Sequence, residues 1–403
     1  MDDTILFNDG TRICMLKDGV RTDMESAYIE NYIKNTRKAS DRNAWKSQGF
    51  GARFRGDGIP DRLPDENIPS SVNGFAFEDD DTFFYSLDIG EMSGVFRKRK
   101  DSGGDDESHV VHAQDQKFYG MDFSPADNLL ALSVQADAFS RSVAVLDSHT
   151  HDYRLLTEGD SLDDSPFFSR TARDIVLFSS AGIGRDRGGN FTEYGSSGIY
   201  SLNIFNNDIE EVLTKPGKSL FQPKEDADGN LYFIEAPAVK KHSVWDILLD
   251  ILMIPVRLVM ALFNFLEFFS VLFTGKGFSE RTGGSNPARK DDLNAGKIFV
   301  EGNLVDADKN FRKNQRKRNE YAGIVPNSWK LVRREPGGRE TQLFSGAVSY
   351  DIMPDGSIVL TNGKNIILLG SDGKSKKLCD AALCTRVKSK GQPTAGVNQM
   401  FDK

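Results

Sequence analysis

Five histidines, three cysteines and 59 acidic residues are the groups from which this chain could build chemistry. His109-Val110-Val111-His112 has the spacing of a metal-ligand pair. No Glu follows the first His, and the stretch reads as a strand. Residues three apart in a strand point to opposite faces, so shared ligation is not expected. His149-Thr150-His151-Asp152 falls between two apolar strands and reads as an exposed turn. The acidic run Glu78–Asp81 also occupies a turn, without the Gly and terminal Glu of a calcium loop. Residues 182–190, Gly-Ile-Gly-Arg-Asp-Arg-Gly-Gly-Asn, are rich in glycine and charge. They lack the strand-to-helix setting and the Lys-Ser/Thr pair of a phosphate cradle. They read as an extended loop between strands, with Arg185, Asp186, Arg187 and the later Tyr194 as the residues that could meet a small ligand. No Gly-x-Ser-x-Gly elbow is present and no hydrolase-sized region follows the repeats described below. No residue is assigned a catalytic role, and neither a metal nor a cofactor is expected.

Bulk properties narrow the classes further. The chain has 403 residues, 38% hydrophobic and 27% charged, the profile of an ordinary globular protein. A net charge of −8 argues against general nucleic-acid binding, which needs a basic surface. Cys14, Cys379 and Cys384 are too few, and odd in number, for a secreted disulfide framework; Cys379 and Cys384 read as buried or spare thiols. The acidic start Met-Asp-Asp-Thr-Ile-Leu-Phe-Asn-Asp has no long apolar core of a secretory signal, so the expected location is cytoplasmic.

The elements that must position any site are repeats. Met121-Asp122-Phe123-Ser124-Pro125-Ala126-Asp127-Asn128-Leu129-Leu130-Ala131-Leu132 has counterparts starting at Pro166 and Tyr350, with weaker copies at Gly74 and Phe221. Each copy is a strand, a tight polar turn and an apolar strand, with Pro, Asp, Asn and Gly supplying the turn dihedrals. A second hairpin follows each copy, clearest at Ser142–Asp147 with Tyr153–Thr157. Four short strands repeating at about 45 residues mark a propeller blade. The turns at Ser124-Pro125-Ala126-Asp127 and Pro354-Asp355-Gly356 resemble those of the TolB-like family of β-propellers. That resemblance covers most of residues 70–390. It implies an all-β propeller fold and says little of function, because propellers host enzymes, scaffolds and binding modules alike.

Roughly five full blades are visible by this period. Strands near Thr4–Leu16 lack a leading Pro-Asp hairpin, and the tail Thr385–Lys388 lacks a following one. Together they complete a sixth blade, which closes the ring and removes open sheet edges. Six blades is the expectation, with five or seven as alternatives, in a single domain over 1–403. Three insertions interrupt the repeat. Residues 24–44 have a helical pattern with Tyr28, Ile29, Tyr32 and Ile33 on one side. Residues 238–293 carry an apolar segment and a Gly-rich return. Residues 305–325 carry the basic run Arg312–Arg318.

The apolar segment, 244–273, stands out in a chain whose mean hydropathy is −0.43. Thirty residues could span a bilayer, which takes about 20 apolar ones. Asp246, Asp250, Arg257 and Glu267 interrupt it. Four charges near mid-membrane would cost on the order of 10 kcal/mol. A single span would also put two strands of one blade on opposite sides of the membrane. At roughly 100° per residue the four charges share one stripe, opposite Leu248, Leu252, Val259, Leu262, Leu266, Phe269 and Phe273. The pattern is an amphipathic helix, or two hinged at Pro255, with a wide apolar face. Lying in a lipid interface, it would use Trp245 as an anchor, with Lys240, Lys241, Lys276, Arg312, Lys313, Arg316, Lys317 and Arg318 meeting anionic lipid. The lipid interface is the leading reading; a protein partner or a second copy in a homodimer comes next, and the propeller's own flank last.

The expected function is therefore non-enzymatic: a propeller scaffold or binding module held peripherally at a membrane, or on a partner, through 244–273. The alternatives are a propeller hydrolase or lyase using carboxylates in the central channel, and a soluble homodimer joined through the same helix.

Overall fold

The computed structural model describes residues 4–35, 38, 71–89, 92–100, 106–135, 137–238, 297–317 and 321–390. Trp245, Leu248, Leu252, Val259, Leu262, Leu266, Phe269, Phe273, Lys240, Lys241, Lys276 and Arg318 lie outside these.

Strands β1 (Ile5–Asp9), β2 (Arg12–Lys17) and β3 (Val20–Met24) open the chain, followed by a helix α1 over residues 27–35. Blade 2 is β4 (Ser71–Phe77), β5 (Thr82–Ile89), β6 (Met92–Arg99) and β7 (Glu107–Ala113). Blade 3 is β8 (Lys117–Ser124), β9 (Leu129–Gln135), β10 (Ser142–Asp147) and β11 (Tyr153–Leu155). Blade 4 is β12 (Ser161–Phe168), β13 (Ile175–Arg185), β15 (Gly198–Asn203) and β16 (Ile209–Leu213), with β14 (Phe191–Tyr194) paired to the far end of β13. Blade 5 starts with β17 (Lys218–Glu225) and β18 (Leu231–Pro237). A two-stranded ribbon, β19 (Lys297–Val300) and β20 (Asn303–Asp306), and the helix α2 (Ala307–Arg316) come before it is completed by β21 (Lys330–Arg334) and β22 (Glu340–Ser345). Blade 6 is β23 (Ser349–Ile352), β24 (Ile358–Thr361), β25 (Asn365–Leu369) and β26 (Ser375–Asp380). The last strand, β27 (Val387–Ser389), pairs with β1 and forms the inner edge of blade 1, in the order β27-β1-β2-β3.

The result is a six-bladed β-propeller closed by both chain ends. Six apolar clusters hold it together, each lying between two neighbouring blades. Phe118 and Leu130 of blade 3 meet Ala76 and Phe84 of blade 2, and Phe7 of blade 1 meets Met353 and Val359 of blade 6. Alternate residues of each strand face these seams, so each blade is buried on both sides.

Antiparallel meanders place the second-to-third-strand loops and the blade-to-blade links at one end of the ring. The connection carrying α1, the β13–β14 arm and the long insertion between β18 and β21 therefore all emerge on one face, hereafter the insertion face. The Pro-Asp turns occupy the other. Tyr28, Ile29 and Tyr32 of α1 pack half-buried on blade 2. The basic run of 312–316 lies on α2, which the sequence pattern did not reveal as a helix. Asp306 caps α2 by accepting from the Lys309 amide at 2.9 Å. Its buried Asn314 donates to the carbonyls of Gly323 and Val325, at 2.8 and 2.9 Å, and so docks the approach to β21. Arg312, Lys313, Arg316 and Lys317 stay exposed.

Two sequence expectations need correction. Residues 182–190 are not a plain loop: β13 continues to Arg185 and β14 returns along it, making a hairpin arm. His109 and His112 do not face opposite sides, since their ring centroids are 4.4 Å apart. The cause is a β-bulge in β7. Val111 opposes Val95 and His109 opposes Phe96, so Val110 is an extra residue that resets the alternation. Burial, then His112 and His151, hold the His109 pKa below its usual value. Among the described residues, no group of three or more His, Cys, Asp or Glu gathers as a metal site.

Candidate functional site

The inner strands β4, β8, β12, β17, β23 and β27 line the central channel. Four of them carry an irregularity at the same height, near Gly74, Gly120, Ser165-Pro166 and Gln222-Pro223. Ser165 and Gln222 have φ of 55° and 51°, sparsely populated for residues with a side chain, and such conformations gather at functional or tightly packed places. Gly120 is a glycine because its neighbour is backbone: a Cβ there would lie 3.1 Å from Ser165 Cα.

Beyond the bulges, equivalent positions of the inner strands form a charged layer. Lys388 Nζ donates to Asp122 Oδ1 at 2.7 Å and lies 3.8 Å from Asp351 Oδ2. Lys224 Nζ donates to Asp351 Oδ1 at 2.5 Å. Arg170 Nη2 reaches Asp122 Oδ2 at 3.3 Å, and the Phe168 amide donates to the same oxygen at 3.1 Å. The Ser389 amide and hydroxyl both donate to Asp351. Phe167 sits among these cations, its ring centroid 4.3 Å from the Arg170 guanidinium carbon and under 6 Å from both lysine nitrogens. Both carboxylates are only 3% exposed.

Burial alone would raise both carboxyl pKa values. Lys388 and Arg170 overcome it at Asp122, and Lys224 and Lys388 overcome it at Asp351, so both stay below the ordinary range. Burial, with Lys388 adding to it and Asp351 opposing, lowers Lys224 to about 8. Burial also works against Lys388, but Asp122 and Asp351 hold it above its usual value.

A second layer closes the channel towards the insertion face. Glu301, at the tip of the β19–β20 ribbon, accepts from Arg386 Nη1 at 2.6 Å, from Gln222 Nε2 at 2.9 Å and from the Ser165 hydroxyl at 3.3 Å. Gln222 Nε2 also donates to the Val348 carbonyl, and the Tyr350 hydroxyl donates to the Gln222 carbonyl. Arg141 forms a buried pair with Asp164 beside this layer. The ribbon is thus pinned across the channel mouth by its own carboxylate.

On the same face, the ribbon and the β13–β14 arm border a groove of about 580 Å³ lined by Tyr119, Phe139, Phe191, Tyr194, Phe299 and Leu304, among others. Phe139 and Phe191 stack in parallel at 4.4 Å, Tyr194 lies 4.9 Å from Phe191, and Phe299 lies 6.2 Å from Tyr194. Phe299 and Leu304 are 51% and 68% exposed, unusual for apolar residues on facing strands.

Several solved structures are similar to this chain at low identity. TolB from Acinetobacter baumannii is similar at 10% identity and a TM-score of 0.46, over 95% of this chain and 66% of that one. A chain of a nidogen/laminin complex matches at 8% identity and 0.48, over 95% and 97%. Tricorn protease matches at 10% and 0.45, over 96% of this chain and 34% of that chain. No family model and no curated protein matches the sequence. In fold, the chain is a six-bladed β-propeller. The chain spans 66% of the first of these structures and about a third of the protease.

Within this propeller, the ligand-loop residues separate. Arg185 pairs with Asp160, its Nε 2.7 Å from Oδ2, and Asp186 accepts from the Gly188 and Asn190 amides, so both hold the arm in shape. Arg187 is exposed, while Tyr194 lines the aromatic groove and donates to the Phe139 carbonyl at 2.8 Å. The cysteines are free thiols. Burial pushes Cys384 up to about 12 and raises Cys14 as well, so both stay protonated and unreactive near neutral pH. The channel carboxylates do converge, on Lys388, but as ion pairs with lowered pKa values. A general acid at neutral pH needs the opposite shift.

The Lys224 shift has a measurable consequence. Its folded pKa, about 8, lies below the value of about 10.4 expected unfolded. Between those values the unfolded chain holds the extra proton, so stability rises with pH. The gain from pH 8 to pH 10.5 should reach about 2.5 kcal/mol, read from urea midpoints. Lys224→Met should flatten that rise; an unchanged slope in the variant would exclude Lys224 as its source.

Proposed function

We propose that this protein is a non-enzymatic propeller module whose insertion face meets a lipid surface, with 244–273 as the attaching segment. One observation carries the reading. The insertion leaves β18 at Pro237 and returns into β19, and the residues at that return, Phe299 and Leu304, expose apolar side chains beside an aromatic groove on the same face. The sequence pattern of 244–273, with its apolar face, its Trp245 and the flanking Lys240, Lys241 and Lys276, has the chemistry an interfacial segment uses. Exposed Arg312, Lys313, Arg316 and Lys317 on α2 follow the ribbon directly and suit anionic headgroups. The channel supports a scaffold rather than a reaction centre, because its carboxylates are bound to buried cations. Among the described residues no helix is long and apolar enough to cross a membrane.

The ribbon gives a direct test. Phe299→Asp with Leu304→Asp should weaken binding to vesicles of phosphatidylserine and phosphatidylcholine by at least tenfold. Each buried side chain of this size contributes about 1.5–3 kcal/mol. Both side chains point to solvent, so the double variant should keep its thermal midpoint. Undiminished vesicle binding by the folded double variant would remove the ribbon from the contact surface.

A further inference from the structure

We propose that the central channel binds a chloride-sized monoanion, held by Lys224, Lys388 and Ser349 where blades 5, 6 and 1 meet. A cavity of about 50 Å³ lies there, lined by Lys224, Arg386, Lys388, Ser349 and the chain at Gly74 and Gly120. That is room for a few waters or one halide. Among the described residues its charged lining is entirely cationic. Asp122, Asp351 and Glu301 bind these cations and are not among the lining residues.

The charge count also favours an anion. The two channel layers contain Lys224, Lys388, Arg170 and Arg386 against Asp122, Asp351 and Glu301. Counted without the half-buried Glu225, which accepts from the Arg170 amide, these side chains carry one positive charge in excess, in surroundings where a buried uncompensated charge is costly. Hydrogen-bond donors remain to meet an anion. Among the described residues, the Lys388 ammonium gives one hydrogen bond, to Asp122, and the Lys224 ammonium one, to Asp351, out of three hydrogens each. Ser349 Oγ accepts from the Val387 amide, which leaves its own hydrogen to donate. The positive φ values of Ser165 and Gln222 show that the inner strands bend to build this level of the channel. A dianion fits less well, because the excess is a single charge.

The same charge balance makes binding depend on pH. The groups facing Lys224 are Asp351 and Tyr350 of β23, Lys388 of β27, Asp122 of β8 and Arg170 after β12. The two Asp values are lowered, and those of Lys388 and Tyr350 are raised. Lys224, lowered to about 8 by burial, is therefore the member whose charge lies nearest to neutral pH.

Bromide is the probe. Crystals of the full chain soaked in bromide should show an anomalous peak in the channel in contact with the Lys224 and Lys388 ammonium groups. In solution, bromide should raise the thermal midpoint relative to gluconate at equal ionic strength, with saturation. Ser349→Ala, which leaves every ion pair intact, should weaken bromide at least threefold, and Lys224→Gln at least tenfold. The wild-type affinity should fall about tenfold per pH unit above pH 8. Bromide bound at the surface only would overturn the proposal. So would equal bromide affinity in Ser349→Ala and wild type, or an affinity independent of pH from 7 to 9.5.

Discussion

Asp122→Ala should lower the stability of the propeller by about 3–5 kcal/mol, the usual cost of removing one partner from a buried ion pair. Asp122 accepts from Lys388, Arg170 and the Phe168 amide. Those donors come from blade 1, from the turn after β12 and from β12 itself, so one carboxylate ties three parts of the ring. Its removal leaves Lys388 with only the more distant Asp351, at 3.8 Å. Two buried cations then lack full compensation, which is worse than losing apolar packing of the same size. Asp122 and Asp351 have folded pKa values below the ordinary one. Their stabilisation is therefore complete above the unfolded value of about 4 and disappears as pH falls through the folded values. Urea denaturation at pH 7 reads the first effect, and midpoints between pH 5 and pH 2 read the second. A loss under about 1 kcal/mol at pH 7 would mean that the channel layer is not a keystone.

The repeat was legible because its turns are punctuated. Ser124-Pro125-Ala126-Asp127 and Pro354-Asp355-Gly356 recur where a strand pair must reverse, and the missing hairpins at the two ends reveal the shared blade. The channel layer was not legible, since Asp122, Lys224, Asp351 and Lys388 lie up to 266 positions apart and meet only when the ring closes. A signal existed: each is a charge at one equivalent position of an inner strand, as in Met121-Asp122-Phe123 and Tyr350-Asp351-Ile352. Blade strands buried on both faces have no reason to hold such a charge except a buried partner. The His109–His112 contact was hidden for a different reason. Counting by twos assumes an unbroken strand, and the extra residue at Val110 shifts the phase. Glu301 was hidden too, because it belongs to a ribbon of two four-residue strands after a long insertion, too short to show alternation.

Removing 244–273 should abolish membrane attachment and leave the propeller standing. Among the described residues, the six seams between blades are filled by side chains of the blades, the ribbon and the approach to β21. Blade 5 is completed by the pairing of β18 with β21, from Leu231–Arg334 to Glu235–Lys330. A short Gly-Ser linker joining residue 243 to residue 274 leaves that register untouched, and lengthening or shortening a surface connection costs little. What is lost is the apolar face from Leu248 to Phe273 and the Trp245 anchor, whose transfer into a lipid interface outweighs the headgroup attraction of the basic residues that remain. Those residues, including Arg312, Lys313, Arg316 and Lys317, would give only weak, salt-sensitive association. A homodimer through the same segment would show itself as a halving of mass on deletion, with no dependence on lipid. The decisive measurement is flotation of the full chain and the deletion on anionic vesicles at 0.15 M salt. The full chain should float and the deletion should stay at the bottom with an unchanged β-sheet spectrum. A full chain that sediments free of vesicles, or a folded deletion that floats as well as the full chain, would contradict the account.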